Sequence, residues 1–316
     1  QSHIVSTSFT NNTAYKFRLM HRQFGGGLYA SVCKDLCLKK TMFVSNSADS
    51  GGGMYVRNSR LVKMIASQFL HNSAKIYGGG AEIKNKKSVL KLENVLFEQN
   101  MAESGAGVSS HVPDVVNTFY KGSLALIKNC TFRYNSRLHY GLPIRNHFGS
   151  RVKENSGGIY FTGYESIQIQ GTEFLANTAR YNGAGIFLAY FSNCFIVNCS
   201  FERNRANFCG AGTIKFGKII RLYRVTFVKN YGHVNRNYLL NLDISELKST
   251  EIYNSTYILN RGIVFVSYTR MVRLHNVTFA MNAEGENAAG INVKYVHFLF
   301  MYHCIYQFNK GVNGFS

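Results

Sequence analysis

One phrase governs this chain: a phenylalanine, an asparagine three residues on, an alanine two further, then a run of small residues. It reads Phe43, Asn46, Ala48 with Gly51-Gly52-Gly53, and again Phe69, Asn72, Ala74 with Gly78-Gly79-Gly80. It returns as Phe174, Asn177, Ala179 with Gly183-Ala184-Gly185, and as Phe201, Asn204, Ala206 with Gly210-Ala211-Gly212. The aromatic anchor occurs eleven times, at Phe9, Phe43, Phe69, Phe97, Phe132, Phe174, Phe201, Phe227, Tyr257, Phe279 and Tyr306, and an asparagine follows three residues after each. A recurring period of roughly 20–50 residues marks a solenoid, because a unit that short buries a core only against its neighbours.

Within a unit, the residue five before the anchor is aliphatic (Ile4, Leu38, Met64, Ile252, Leu274, Met301) and the one seven before is usually apolar (Leu36, Val62, Leu90, Ile220, Val272). Those between are mostly polar, as at Lys63, Lys91, Gln168, Arg221 and Arg273. Alternation with period two is a strand. The phase breaks before the small residue two before the anchor, which places a bend there. After the last glycine alternation resumes, with Met54, Ile159 and Ile186 inward, then Val56, Phe161 and Leu188. Three short strands per unit and no helical stretch predict an all-β, right-handed, single-stranded parallel β-helix of about eleven coils. A propeller blade would need about 40–45 residues.

The asparagines Asn46, Asn72, Asn100, Asn135, Asn177, Asn204 and Asn230 then form a structural ladder, equal side chains stacked about 4.8 Å apart at a turn and tolerant of left-handed backbone. The glycines mark positive-φ turns or close backbone approach. None precedes a helix, which argues against a phosphate-cradling loop.

These motifs resemble the repeats of the polymorphic outer membrane protein family of chlamydiae, described by FxxN and GGA[ILV]. The likeness runs from Phe9 to Asn309. The FxxN half matches well, whereas the glycine half reads GGG, GAG or AAG and is missing after Phe227. The resemblance implies a right-handed parallel β-helix with surface or secreted adhesive work. It carries no catalytic residue, and no counterpart of the bacterial family's autotransporter barrel is expected within these residues.

The 316 residues hold only two prolines, Pro113 and Pro143, each inside an insertion (near 109–119 and 136–156), so one domain is expected over 1–316. Eleven coils at about 4.8 Å give a rod roughly 50 Å long. No apolar run is long enough for a transmembrane helix. Both ends fall inside the repeat, which predicts a segment of a longer protein or end-to-end self-assembly. Five sequons, at Asn11, Asn129, Asn198, Asn254 and Asn276, are candidate glycosylation sites and point to an extracellular or cell-surface location. Of seven cysteines, Cys130, Cys199 and Cys304 fall on the inward position two before the anchor, as buried small hydrophobes, and Cys33 with Cys37 is a candidate local disulfide. No spacing suggests a metal site, and no cofactor is expected.

Thirty-six Lys and Arg against sixteen Asp and Glu leave a net charge of +20. That field attracts anions. No nucleic-acid recognition motif appears, so the expected partner is an anionic polysaccharide or an acidic protein. A charged column, Asp49, Lys75 and Glu103, alternates in sign from coil to coil as a register device.

Catalysis of the polysaccharide lyase or glycoside hydrolase kind is the alternative. Hydrolysis needs two carboxylates about 5–9.5 Å apart. On the strand after the glycines the expected outward residues are Tyr29, Tyr55, Glu82, Tyr160, Phe187, Ile214 and Asn292, with Glu82 a lone, solvated acid. Asp243, Glu246 and Glu251, and separately Glu284 and Glu286, are expected off that face, and His21, His139, His147 and His233 lie dispersed in loops. The candidate binding set is therefore the outward rings Tyr29, Tyr55, Tyr160 and Phe187 beside Arg57 and Lys84. Non-enzymatic structural or adhesive work is the primary reading.

Overall fold

A computed structural model describes residues 2–14, 23–85, 87–111, 120–137, 156–232, 240–283 and 290–310. Among them every element is a strand, and the strands wind as a three-sided parallel β-helix. One coil shows the plan: Met54–Arg57 lies on the first side, Leu61–Ile65 on the second and Gln68–Leu70 on the third. Each pairs in parallel with its equivalent in the next coil, Ala81–Lys84, Val89–Glu93 and Leu96–Glu98. The third side is a sheet of eleven strands. Around Ile186–Val197 and Cys209–Tyr223 the first and second strands run together as one. The expected insertions fall largely on residues 112–119 and 138–155, outside the described residues.

The anchor rings form the centre of the core. From Phe9 to Tyr306 they make one unbroken stack, with centroids 4.5–5.3 Å apart and planes within 11°. The third glycine is small at Gly27, Gly53, Gly80, Gly158 and Gly185 because a ring lies under it: a Cβ on Gly80 would sit 2.8 Å from the Phe97 ring. The first glycine supplies the turn, with φ of 64° at Gly51.

Beside the rings runs the asparagine column. The backbone N–H and Nδ2 of Asn72 both donate to Asn100 Oδ1 at 3.0 Å, and the second Nδ2 hydrogen goes to the carbonyl of Phe43 at 2.8 Å. Asn100 repeats this on Asn135 and Phe69, and so on from Asn12 to Asn309. Each interior amide therefore accepts two bonds and donates two, which makes burial at essentially zero exposure tolerable. The step survives a 42-residue separation between Asn135 and Asn177.

The left-handed residue is not the ladder asparagine, as the sequence suggested, but the one before it: Ser45, His71, Gln99, Tyr134 and Ala176 have φ of 50–55°. The amide is used for its four bonds, while the turn strain sits one residue earlier. A second left-handed column, three residues before the anchor, includes Lys40, Ala66, Asn94 and Asn129. There the small residue that follows closes the bend by donating back two residues, as Ser67 Oγ does to Ile65 O and Thr172 Oγ1 to Gln170 O. Cys130 and Cys199 do the same with Sγ, at 3.3 and 3.2 Å to Lys128 O and Val197 O. They stand in for serine, beyond filling space as small hydrophobes.

Two outcomes follow for stability. Asn100→Ala strands the N–H and Nδ2 of Asn72, takes the side-chain donor from the carbonyl of Phe69 and one of two donors from Oδ1 of Asn135, and is expected to cost about 3 kcal/mol or more in urea unfolding. A loss below about 1 kcal/mol would show the column to be dispensable. Tyr257 replaces phenylalanine in the ring stack; its hydroxyl is buried without a hydrogen-bond partner among the described residues, and burial pushes its ionisation far upward. Tyr257→Phe should raise the thermal midpoint, worth about 1 kcal/mol.

Candidate functional site

The outer surface of the first side holds the row expected to bind. Register fixes its members as Tyr29, Tyr55, Glu82, Ser109, Tyr160, Phe187, Thr213, Asp243, Phe265 and Asn292. Two placements correct the sequence reading. Ile214 points inward and Thr213 outward, because a register shift between Cys209 and Gly212 moves the strand by one residue and so swaps faces. Asp243, expected elsewhere, stands on this face opposite Thr213.

The rings do stack, Tyr29 on Tyr55 at 5.6 Å and Tyr160 on Phe187 at 5.1 Å. They are not presented to solvent as a row, however. Tyr29 is 43% exposed, but Tyr55, Tyr160 and Phe187 are buried. Phe24 tilts over Tyr55, Tyr77 closes over Tyr160, and Lys215 Nζ sits 5.1 Å from the Phe187 ring beside Phe216 and Tyr190. The aromatic row is a second, outer core, which leaves Tyr29, Arg57 and Lys84 as the surface members of the expected binding set.

Glu82 is likewise not a solvated acid. It is 2% exposed, with His111 Nε2 3.7 Å from its Oε1 and the His111 ring packed on Tyr77 at 4.7 Å. Sequence reasoning missed this because Tyr77 precedes the glycines, at a position that pairs with Ser50 and Ser104 in the neighbouring coils. A large ring where the neighbours carry serine was the available signal. Asp243 shows some surface as a residue, yet its Oδ1 is sealed and finds no hydrogen-bond donor among the described residues. Burial raises its pKa to about 6, against the opposing pull of Lys215 and Ser245.

Glu82 and Asp243 lie five rungs apart, on the order of 24 Å, far beyond the separation that two-carboxylate hydrolysis uses. Burial pushes the Cys130 thiol up to about 12 and Cys199 to about 11, and raises Cys194 and Cys209 further. These are protonated thiols, poor nucleophiles. Cys33 and Cys37 are free, since Cys33 packs on the core while Cys37 lies on the outer side of its strand between buried Leu36 and Leu38. Among the described residues no group of His, Cys, Asp and Glu could hold a metal. His21, His139, His147, His233, Glu284 and Glu286 lie outside them.

Charge is ordered by column. Lys75 meets Asp49 at 2.6 Å and Arg137 meets Glu103 at 2.7 Å. On the second side Glu251 lies between Arg221 (2.8 Å) and Arg273 (3.9 Å). Burial would raise its carboxyl, but the bond and charge of Arg221 hold it below its ordinary value. The corner joining the first and second sides breaks this alternation. Arg57 pairs in register with Lys84 on one flank, Lys63 with Lys91 on the other, and Arg60 and Lys87 lie between. Among the described residues, Arg60 is the one with a carboxylate partner there, Asp35 at 3.0 Å, while Arg57 Nε donates to Ser31 Oγ at 3.0 Å. Arg57 also lies over the Tyr29 ring at 5.6 Å.

The sequon asparagines Asn129, Asn198, Asn254 and Asn276 are exposed on the left-handed column before the anchor, with φ of 47–52°, and Asn11 is exposed at the later bend. Backbone geometry alone favours asparagine there. Asn276 Nδ2 also donates to Asn254 Oδ1 at 3.0 Å.

Compared with protein-family models, curated proteins and solved structures, the chain matches none. The likeness to the polymorphic outer membrane protein repeats rests on the FxxN and glycine motifs alone. Among the described residues no helix is long and apolar enough to cross a membrane.

Asp243 supplies a pH test. Its pKa in the folded protein lies above the ordinary value of 3.8, so its contribution is fully present below about pH 4 and is lost as pH rises through about 6. Asp243→Asn should therefore stabilise the protein at pH 7 by about 1–3 kcal/mol and be neutral near pH 3.5, read from thermal midpoints across pH.

Proposed function

We propose that this chain is a non-enzymatic β-helix module, working outside the cell or at its surface, that binds anionic polysaccharide through the basic corner of its second to fourth coils. The supporting observation is the repetition of charge. Like charges directly opposite across strands are destabilising, and this solenoid elsewhere alternates sign where a column is structural. At the corner it places Arg57 beside Lys84 and Lys63 beside Lys91. An arrangement that costs stability in the isolated protein is relieved by a polyanion whose charges run along the rungs. Tyr29 and Arg57 add an exposed ring and a planar cation. The exposed sequons support an extracellular setting.

The test couples affinity to stability. Lys63→Glu creates an opposite-charge pair with Lys91 and should raise stability by about 0.2–1 kcal/mol. The same substitution combined with Lys91→Glu should weaken retention on immobilised heparin or polygalacturonate by roughly tenfold or more at low salt. Wild-type protein that passes through both matrices at low salt, or equal retention of the variant, would sink the reading. Turnover of either polymer would overturn the non-enzymatic assignment.

A further inference from the structure

The same corner changes character towards the last coils. Lys218, Lys248, Arg270 and His297 each immediately precede a strand of the second side at one common register, fixed by Ile219 opposite Ser249, Ser249 opposite Met271, and Met271 opposite Phe298. Backbone bonds hold them in line: Lys248 N–H donates to Lys218 O at 2.9 Å, Met271 to Lys248 O at 3.1 Å, and Phe298 to Arg270 O at 3.0 Å. All four side chains are exposed. Four basic residues on consecutive rungs therefore lie about 4.8 Å apart.

Two residues before each stands a parallel column, Phe216, Glu246, Tyr268 and Tyr295, all with left-handed φ of 50–57°. A bulky side chain there costs roughly 1 kcal/mol relative to glycine or asparagine, which occupy the position at Gly163 and Asn58, while Val32 and Tyr190 hold it in two other coils. Phe216 has a packing reason, since it covers the outer aromatic cluster of Tyr160 and Phe187. Tyr268 and Tyr295 do not: they are 61% and 68% exposed and stack on each other at 4.7 Å. Exposed, strained and rigid aromatic pairs beside a cation row are what a contact surface requires, and packing does not account for them.

We infer that this stripe is a second site for a linear anionic polysaccharide, lying along the axis with carboxylate or sulfate groups on Lys218, Lys248, Arg270 and His297 and sugar rings against the Tyr268–Tyr295 rim. The tyrosine faces close on each other, which leaves no gap for a base to insert, so the geometry favours a polysaccharide over single-stranded nucleic acid. Glu246 interrupts the aromatic column and limits the rim to the two tyrosines. Ser192 precedes Lys218 in the cation column and Glu165 stands one rung earlier, so this stripe is separate from the Arg57–Lys91 patch. The inference rests on the polysaccharide reading above, extending it to two sites on one edge.

Calorimetry with a heparin tetrasaccharide, too short to span both patches, separates the two. Wild type should bind two equivalents, Lys63→Glu/Lys91→Glu one, and Lys248→Glu/Arg270→Glu one. Tyr268→Ala/Tyr295→Ala should weaken the second equivalent about threefold or more, an effect that persists as salt is raised because stacking is not screened. Circular dichroism confirms that each variant folds. One equivalent in wild type, lost in Lys63→Glu/Lys91→Glu and kept in Lys248→Glu/Arg270→Glu, overturns this inference alone. No binding by wild type overturns the polysaccharide reading itself. Tighter binding of oligothymidylate than of the tetrasaccharide, abolished by Lys248→Glu/Arg270→Glu, overturns the assignment of ligand.

Discussion

A buried primary amide is expensive unless all its donors and acceptors are met, and here each is met only by the coils directly above and below. That requirement organises the molecule. The asparagine side chain reaches its partner only when two turns lie at strand spacing, so it fixes rise, register and the position of the bend together. The ring stack beside it contributes the largest buried side chains but little direction, since one stacked phenyl ring slides on another at small cost. The amide column supplies the specificity, and the rings with the inward aliphatic residues supply the burial.

Surface charge reads differently once the scaffold is understood in this way. Where a column of side chains serves the stack, sign alternates, as in the Arg221–Glu251–Arg273 ladder with its bonds to Ser249 and Tyr253. Where sign repeats, the stack gains nothing and loses a little. Among the described residues, repeated cations line the edge between the first and second sides, an arrangement the bare count of +20 could not reveal. An edge, unlike a flat side, presents side chains from two sheets to one elongated ligand.

Much of the architecture was legible because the repeat is written in residues with a single structural use. Phe97 and Asn100 have no other role in such a pattern, and period-two alternation placed Leu90 and Leu92 inward without ambiguity. The outer face was less legible. Tyr55, Glu82 and Tyr160 occupy outward strand positions, and in a two-state reading outward means wet. They are buried because other side chains, Phe24 and Tyr77 among them, fold back over the sheet, a long-range event with no periodic signature. Thr213 and Ile214 were exchanged for a simpler reason: Gly210-Ala211-Gly212 looks like its relatives but carries a one-residue slip, and a period of two converts one residue of slip into the opposite face. The second cation column escaped notice because Lys218, Lys248, Arg270 and His297 are spaced unevenly in the chain and become a line only through pairing.

The bonds from one asparagine to another all run the same way: every rung gives its N–H and one Nδ2 hydrogen forward to the amide oxygen of the next and takes the same pair from behind. Any rung can therefore follow any other, whatever the length of chain between them. A gene that duplicates or drops a whole repeat leaves this relay intact, whereas a deletion of half a repeat breaks it at once. Rod length is thus free to vary in whole steps, and ligand-bearing edges can be lengthened or moved apart without redesigning the interior.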